Sequence, residues 1–128
     1  MKYIDGFVLP VPKNNLATYF TMSKKAGKVW LEHGALEYRE CAGDDLDTPC
    51  SVPFPKLVKL KPDETVVFAW IVYKSKAHRD RVNAKVMKDP RLATMCDPKN
   101  MPFDMKRMAH GGFKVGVDLS AHDTRNTL

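Results

Sequence analysis

In the stretch Thr65 to Tyr73, TVVFAWIVY, both alternating sets of residues are apolar. One set is Val67, Ala69, Ile71 and Tyr73; the other is Val66, Phe68, Trp70 and Val72. A strand turns successive side chains to opposite faces. A sheet wetted on one side therefore shows a polar residue at every second position, and this strand shows none. Both of its faces need cover. The chain carries only two long helical patterns, enough for one face of a small sheet, so the other face calls for a second copy of the protein or a bound ligand.

The length, 128 residues, suits one domain, assigned to residues 1–118, with a polar tail over 119–128. Lysine and arginine number 21 against 15 acids, a net charge of +6. The basic residues are interspersed with acids, as around Asp63, Glu64 and Asp80, which describes a solvated surface more than a nucleic-acid groove. Specific nucleic-acid binding is not expected. Three cysteines, Cys41, Cys50 and Cys96, form no C-x-x-C pair and leave an odd thiol, as expected in a reducing compartment. No basic and apolar leader precedes the strand pattern that starts at Tyr3, and the longest apolar run, Val66 to Tyr73, falls far short of the ~20 residues of a membrane span. The expectation is a cytoplasmic protein with no membrane partner.

Tyr3 to Val11 reads as a first strand ended by Pro10 and Pro12. Asn14 or Asn15 caps a helix whose Leu16, Tyr19, Phe20, Ser23, Ala26, Gly27 and Trp30 recur at helical spacing, and Gly34 stops it. A second strand fits Ala35 to Ala42. The proline-bearing stretch Asp44 to Pro55 reads as a loop, Lys56 to Leu60 as a short strand, and Lys61 to Glu64 as a turn into the doubly apolar strand. Ser75 caps a second helix ending near Asp89-Pro90, a helical turn follows over Arg91 to Met95, and Arg107 to Val117 supplies the last strand. The order β-α-β-β-α-β predicts an α+β, ferredoxin-like sheet with strands one and three inside and two helices on one face.

Several strings point further: Tyr3-x-Asp5-Gly6-Phe7-Val8, Gly43-Asp44-Asp45, Ser75-Lys76-Ala77-x-Arg79-Asp80-x-x-Asn83-x-Lys85, Asp89-Pro90-Arg91, and Met101-Pro102-Phe103-Asp104-x-Lys106-Arg107-Met108-x-x-Gly111-Gly112-Phe113. Together they resemble the YbaA-like family of short, uncharacterised bacterial proteins, over roughly residues 1–118. The resemblance implies a dimeric α/β barrel, a superfamily that also holds cofactor-free monooxygenases, haem-degrading enzymes and small-molecule isomerases. It implies no established activity. Ala42 departs from the aromatic residue that the family pattern implies between Cys41 and Gly43.

Four residues carry the candidate chemistry. Asp5, beside Tyr3 and Phe7 on a central strand, is a candidate base; its structural alternative is an ion pair near Lys114, far from Arg107. His110 on the last strand is a candidate proton shuttle. Trp70 is the candidate ligand-stacking residue and Arg107 the candidate anion holder. No histidine has a partner at metal-ligand spacing, neither a phosphate-binding glycine motif nor an RNA-binding string is present, and Cys41 has no base placed against it. Metals and cofactors are not expected. Two readings follow: a homodimer through the sheet face that binds a small apolar or anionic molecule, with cofactor-free oxygenase or isomerase activity by analogy; or a non-catalytic structural or regulatory homodimer.

Overall fold

The structure, a computed structural model, describes residues 1–95, 97 and 99–122; Cys96 and residues 123–128 of the expected tail lie outside them. The elements are β1 (Tyr3–Pro12), α1 (Leu16–Glu32), β2 (Glu37–Ala42), α2 (Phe54–Leu57), β3 (Glu64–Tyr73), α3 (Lys76–Met87), α4 (Pro90–Met95) and β4 (Ala109–Lys114). The four strands form one antiparallel sheet in the order β2-β3-β1-β4.

Three boundaries differ from expectation. Pro10 and Pro12 do not end β1, which pairs with β3 as far as Pro12↔Glu64. The reason is which neighbour each donor would face. Lys13 donates its N–H to Asp63 O at 2.8 Å, so odd positions point toward β3, and the two prolines turn their missing donors to the side where β4 has already stopped, at Val8↔Ala109. The strand expected over Lys56 to Leu60 is instead the short helix α2, because Pro53 and Pro55 preset a helical first turn. The last strand is shorter than expected. Asp104 accepts a hydrogen bond from Lys106 N at 3.0 Å and holds Met105–Arg107 in a 3₁₀ turn, so Arg107 precedes β4 and is not part of it.

Helix caps follow the local chemistry only in part. Ser75 Oγ accepts from His78 N at 3.1 Å and starts α3 as expected. Asn15 occupies the cap position of α1 without capping; its side-chain N–H bonds Pro102 O at 3.1 Å, tying the helix start to the segment before β4. Gly34, at φ +116°, ends α1 in a conformation that suits glycine alone.

The core lies on one side of the sheet. Val67, Ala69, Ile71 and Tyr73 of β3 are buried there: Ile71 and Tyr73 pack with Ala26 and Val29 of α1, Val82 and Val86 of α3 and Leu92 of α4, and Val67 packs with Leu9 and Val11 of β1 and Tyr19 of α1. Each of the larger side chains contributes roughly 1.5–3 kcal/mol by burial. The other set of β3 fares differently. Val66 and Val72, at its ends, are buried within the protomer, whereas Phe68 is 44 % exposed and Trp70 half-buried. None of the described helices is long and apolar enough to cross a membrane.

Candidate functional site

The face left open by the helices is concave and apolar. Register puts Ile4, Gly6 and Val8 of β1 opposite Val72, Trp70 and Phe68 of β3, and opposite Phe113, Gly111 and Ala109 of β4. Gly6 and Gly111 therefore stand side by side, and their missing side chains leave a trough. The Phe113 ring leans over it, 3.5 Å from where a Cβ on Gly6 would stand. Phe68 and Trp70 form the far wall at 5.4 Å between ring centroids. The concavity, open to solvent, holds about 610 Å³, and Trp70 is the residue that brings a side-chain nitrogen to it. His110 belongs to its β4 rim by backbone, while its ring turns to the helix side and stacks on Phe7 at 5.8 Å. Such a surface can hold an aromatic or aliphatic body and offer it a stacking ring.

Asp5 lies on the opposite side, among the helices. It is buried and accepts from Arg79 Nη1 at 2.7 Å and Asn83 Nδ2 at 3.4 Å. The same Asn83 amide accepts through its oxygen from Trp30 Nε1 at 3.0 Å and from the Tyr73 hydroxyl at 3.1 Å. Burial, with the Asp5 charge behind it, pushes the Tyr73 hydroxyl pKa far above the ordinary phenol value, so it stays a donor. Arg79 also donates to Asp80 at 2.8 Å and stacks over the Tyr3 ring at 4.9 Å. The expected neighbour Lys114 stands opposite Tyr3, two residues along β1, and Arg79 is the ion-pair partner. Sequence spacing held one signal for this network: Arg79 and Asn83 are four apart, hence on one face of α3.

Arg107 is also engaged. Its guanidinium grips Glu64 through two bonds, Nη1 to Oε2 at 2.6 Å and Nη2 to Oε1 at 2.9 Å, and reaches Lys59 O at 3.0 Å. The hydrogen bonds from Arg107 hold the Glu64 carboxyl below its ordinary pKa against the opposing pull of burial. Of the four candidates Trp70 alone turns its side chain into the concavity: His110 alternates with Ala109 and Gly111 and stacks on Phe7 on the helix side of the sheet, and Asp5 and Arg107 serve two separate ion pairs.

Two further polar clusters escaped sequence reasoning. Glu40 on β2 accepts from Tyr19 and Tyr38, each at 2.7 Å, and burial followed by the Glu40 charge raises the Tyr19 pKa strongly. His33 donates to Asp89 at 2.8 Å, and Arg91 bonds both Asp89 and Glu32, bracing the end of α1 against α4. Cys41 and Cys50 are free and exposed, and Cys41 stands opposite Phe68 on the open face. Among the described residues no three histidine, cysteine or acidic side chains are placed to hold a metal ion.

These features define an α+β protein with a four-stranded antiparallel sheet, helices on one face and an apolar concavity on the other. The chain belongs to the DUF1428 family of proteins of unknown function, whose family model matches residues 2–105. It is 43% identical over 118 residues to the uncharacterised protein YbaA of Escherichia coli K12 and to that of Shigella flexneri, covering 92% of this chain and 99% of each relative. The resemblance carried by the sequence strings therefore stands. Among solved structures, an uncharacterised NIPSNAP domain protein from Burkholderia xenovorans shares the fold, with a TM-score of 0.58 at 10% identity over 92% of this chain and 98% of that one.

Proposed function

We propose that residues 1–118 act as a homodimeric, ferredoxin-like α/β barrel in which two open sheet faces meet and enclose a chamber for a small apolar molecule. The observation that carries this reading is the concavity itself, where exposed Phe68 and Phe113 flank a paired-glycine trough. A second copy suits it better than an unrelated surface. The chain is strongly basic, yet on this face the charged residues of β2, Glu37 and Arg39, pair with each other at 3.2 Å, so two like faces meet without net repulsion. Trp70 stacks on the ligand; Asp5 and Arg107 brace the frame, and His110, stacked on Phe7 behind the sheet, stands outside the chamber. Localisation in the cytoplasm and a cofactor-free oxygenase or isomerase reaction remain parts of the proposal that rest on analogy.

The alternative is a homodimer with a structural or regulatory role and no ligand. The full satisfaction of Asp5 and Arg107 by protein partners favours it. One experiment separates the two. Sedimentation of the full chain measures the dimer, and titration with 8-anilinonaphthalene-1-sulfonate, an apolar anion, measures the chamber. The first reading expects a dimer, lost in Trp70→Asp, with saturable probe binding that falls at least tenfold in Trp70→Ala. A dimer with no saturable binding gives the protein to the alternative, and a stable monomer at micromolar concentration defeats both.

A further inference from the structure

We infer that the segment from Val52 to Leu60, built around α2, is an arm that seats on the second copy of the chain, with the Arg107–Glu64 pair fixing its base; this rests on the homodimer proposed above. Three observations carry it. The first is area. Strands of ten, six, ten and six residues, at ~3.3 Å per residue and ~4.8 Å between strands, present a footprint of about 500 Å². A stable interface takes roughly 800 Å² of accessible surface from each partner, and obligate homodimers take more, so an apolar extension of the sheet's flat outline adds area that such a dimer uses.

The second is continuity. Phe54 of α2 lies 6.2 Å from Phe68, and Phe68 lies 5.4 Å from Trp70, so the apolar surface runs from the concavity onto the arm. Beyond Phe54 stand Val52 and Leu57, left 67% and 63% exposed among the described residues. The third is rigidity. Pro53 and Pro55 stiffen the arm, and Leu60 N donates to Pro55 O at 2.9 Å. Lys59 takes the left-handed conformation at φ 52°. Its carbonyl is the one held by Arg107, while Lys61 N donates to Glu64 at 2.9 Å. A segment ordered before docking loses little conformational freedom on binding, which is the economy an interface element needs.

The test is sedimentation equilibrium of the full chain at a temperature well below unfolding. Val52→Asp/Leu57→Asp alters only exposed side chains, and circular dichroism with urea unfolding checks that its protomer folds as before. The wild type is expected to dimerise, the double variant to show a dissociation constant at least tenfold higher, and Arg107→Gln to raise it by a smaller factor while speeding proteolytic cleavage between Val52 and Leu60. A dimeric wild type with an unchanged constant in the double variant gives the arm to some other occupant and overturns the inference, leaving the dimer intact. Wild-type affinity and cleavage in Arg107→Gln overturn the role of the clamp. A monomeric wild type removes the dimer and the arm's role together.

Discussion

Arg107 shows how far a single side chain can be from what its neighbours in sequence suggest. The Asp104 turn that precedes Arg107 is local, but the partner that occupies Arg107, Glu64, is 43 residues away, and no local period records it. Asp5 repeats the lesson: antiparallel geometry placed it correctly near the Lys114 end of the sheet, yet its charge is met from α3. The Glu64 pair has a measurable consequence. Arg107 lowers the Glu64 pKa in the folded chain, and Arg91 and His33 lower that of Asp89. At acid pH the unfolded chain therefore binds more protons at these sites. Their stabilisation is complete above the ordinary carboxylate range and is lost as the pH falls through the folded values. The melting temperature is expected to decline slightly as pH falls through the ordinary histidine range, because burial and the Lys74 charge lower the His78 pKa in the folded chain, and to fall more steeply below about pH 4.5. Glu64→Gln should cost about 1–3 kcal/mol at neutral pH, because it weakens a nearly buried pair, and should make the acid decline shallower. Thermal unfolding between pH 2 and 8 checks both; an acid limb as steep as in the wild type would exclude Glu64 as a contributor.

Among the elements, α1 and β2 are fitted to each other through one missing methyl group. A Cβ on Gly27 would stand 2.6 Å from the Tyr38 ring, whose hydroxyl donates to Glu40. Alanine gains about 1 kcal/mol of helix propensity over glycine. Displacing a packed ring costs typically 1–3 kcal/mol, and here the hydrogen bond to Glu40 is strained as well. Gly27→Ala is therefore expected to destabilise, by urea unfolding, and to stabilise when Tyr38→Ala has already removed the ring. The same sign in both backgrounds would refute the packing account. The elements that were legible in the sequence announce themselves differently: β3 by an apolar run with no polar alternation, α1 by apolar residues at helical spacing and Gly34 at its end, α3 by its Ser75 cap. Of those that were misjudged, the end of β1 depends on information a local pattern lacks, how far a neighbouring strand reaches and which donors face it, whereas α2 and the start of β4 follow from local proline and Asp104 chemistry that an apolar period does not record. The concavity was half visible, since β3 required cover on both faces, while the Gly6–Gly111 trough needed the register of β1 against β4.

For the assembled molecule, Cys41 is a ready reporter, because it is exposed on β2 opposite Phe68. In a chain carrying Cys50→Ser and Cys96→Ser, maleimide labelling of Cys41 is expected to slow as protein concentration rises through the dimer dissociation constant. A rate independent of concentration would place β2 outside the covered surface. The prolines of β1 acquire a meaning at this level. A chain that exposes a sheet with an apolar face risks growing without limit, because each unpaired strand margin is a template for the next copy. Along Pro10 and Pro12, beyond the end of β4, β1 turns no donor outward, and with Leu9, Pro10 and Val11 buried that stretch offers the next copy no ladder. The outer margins of the sheet are those of β2 and β4, so unlimited growth would have to start there.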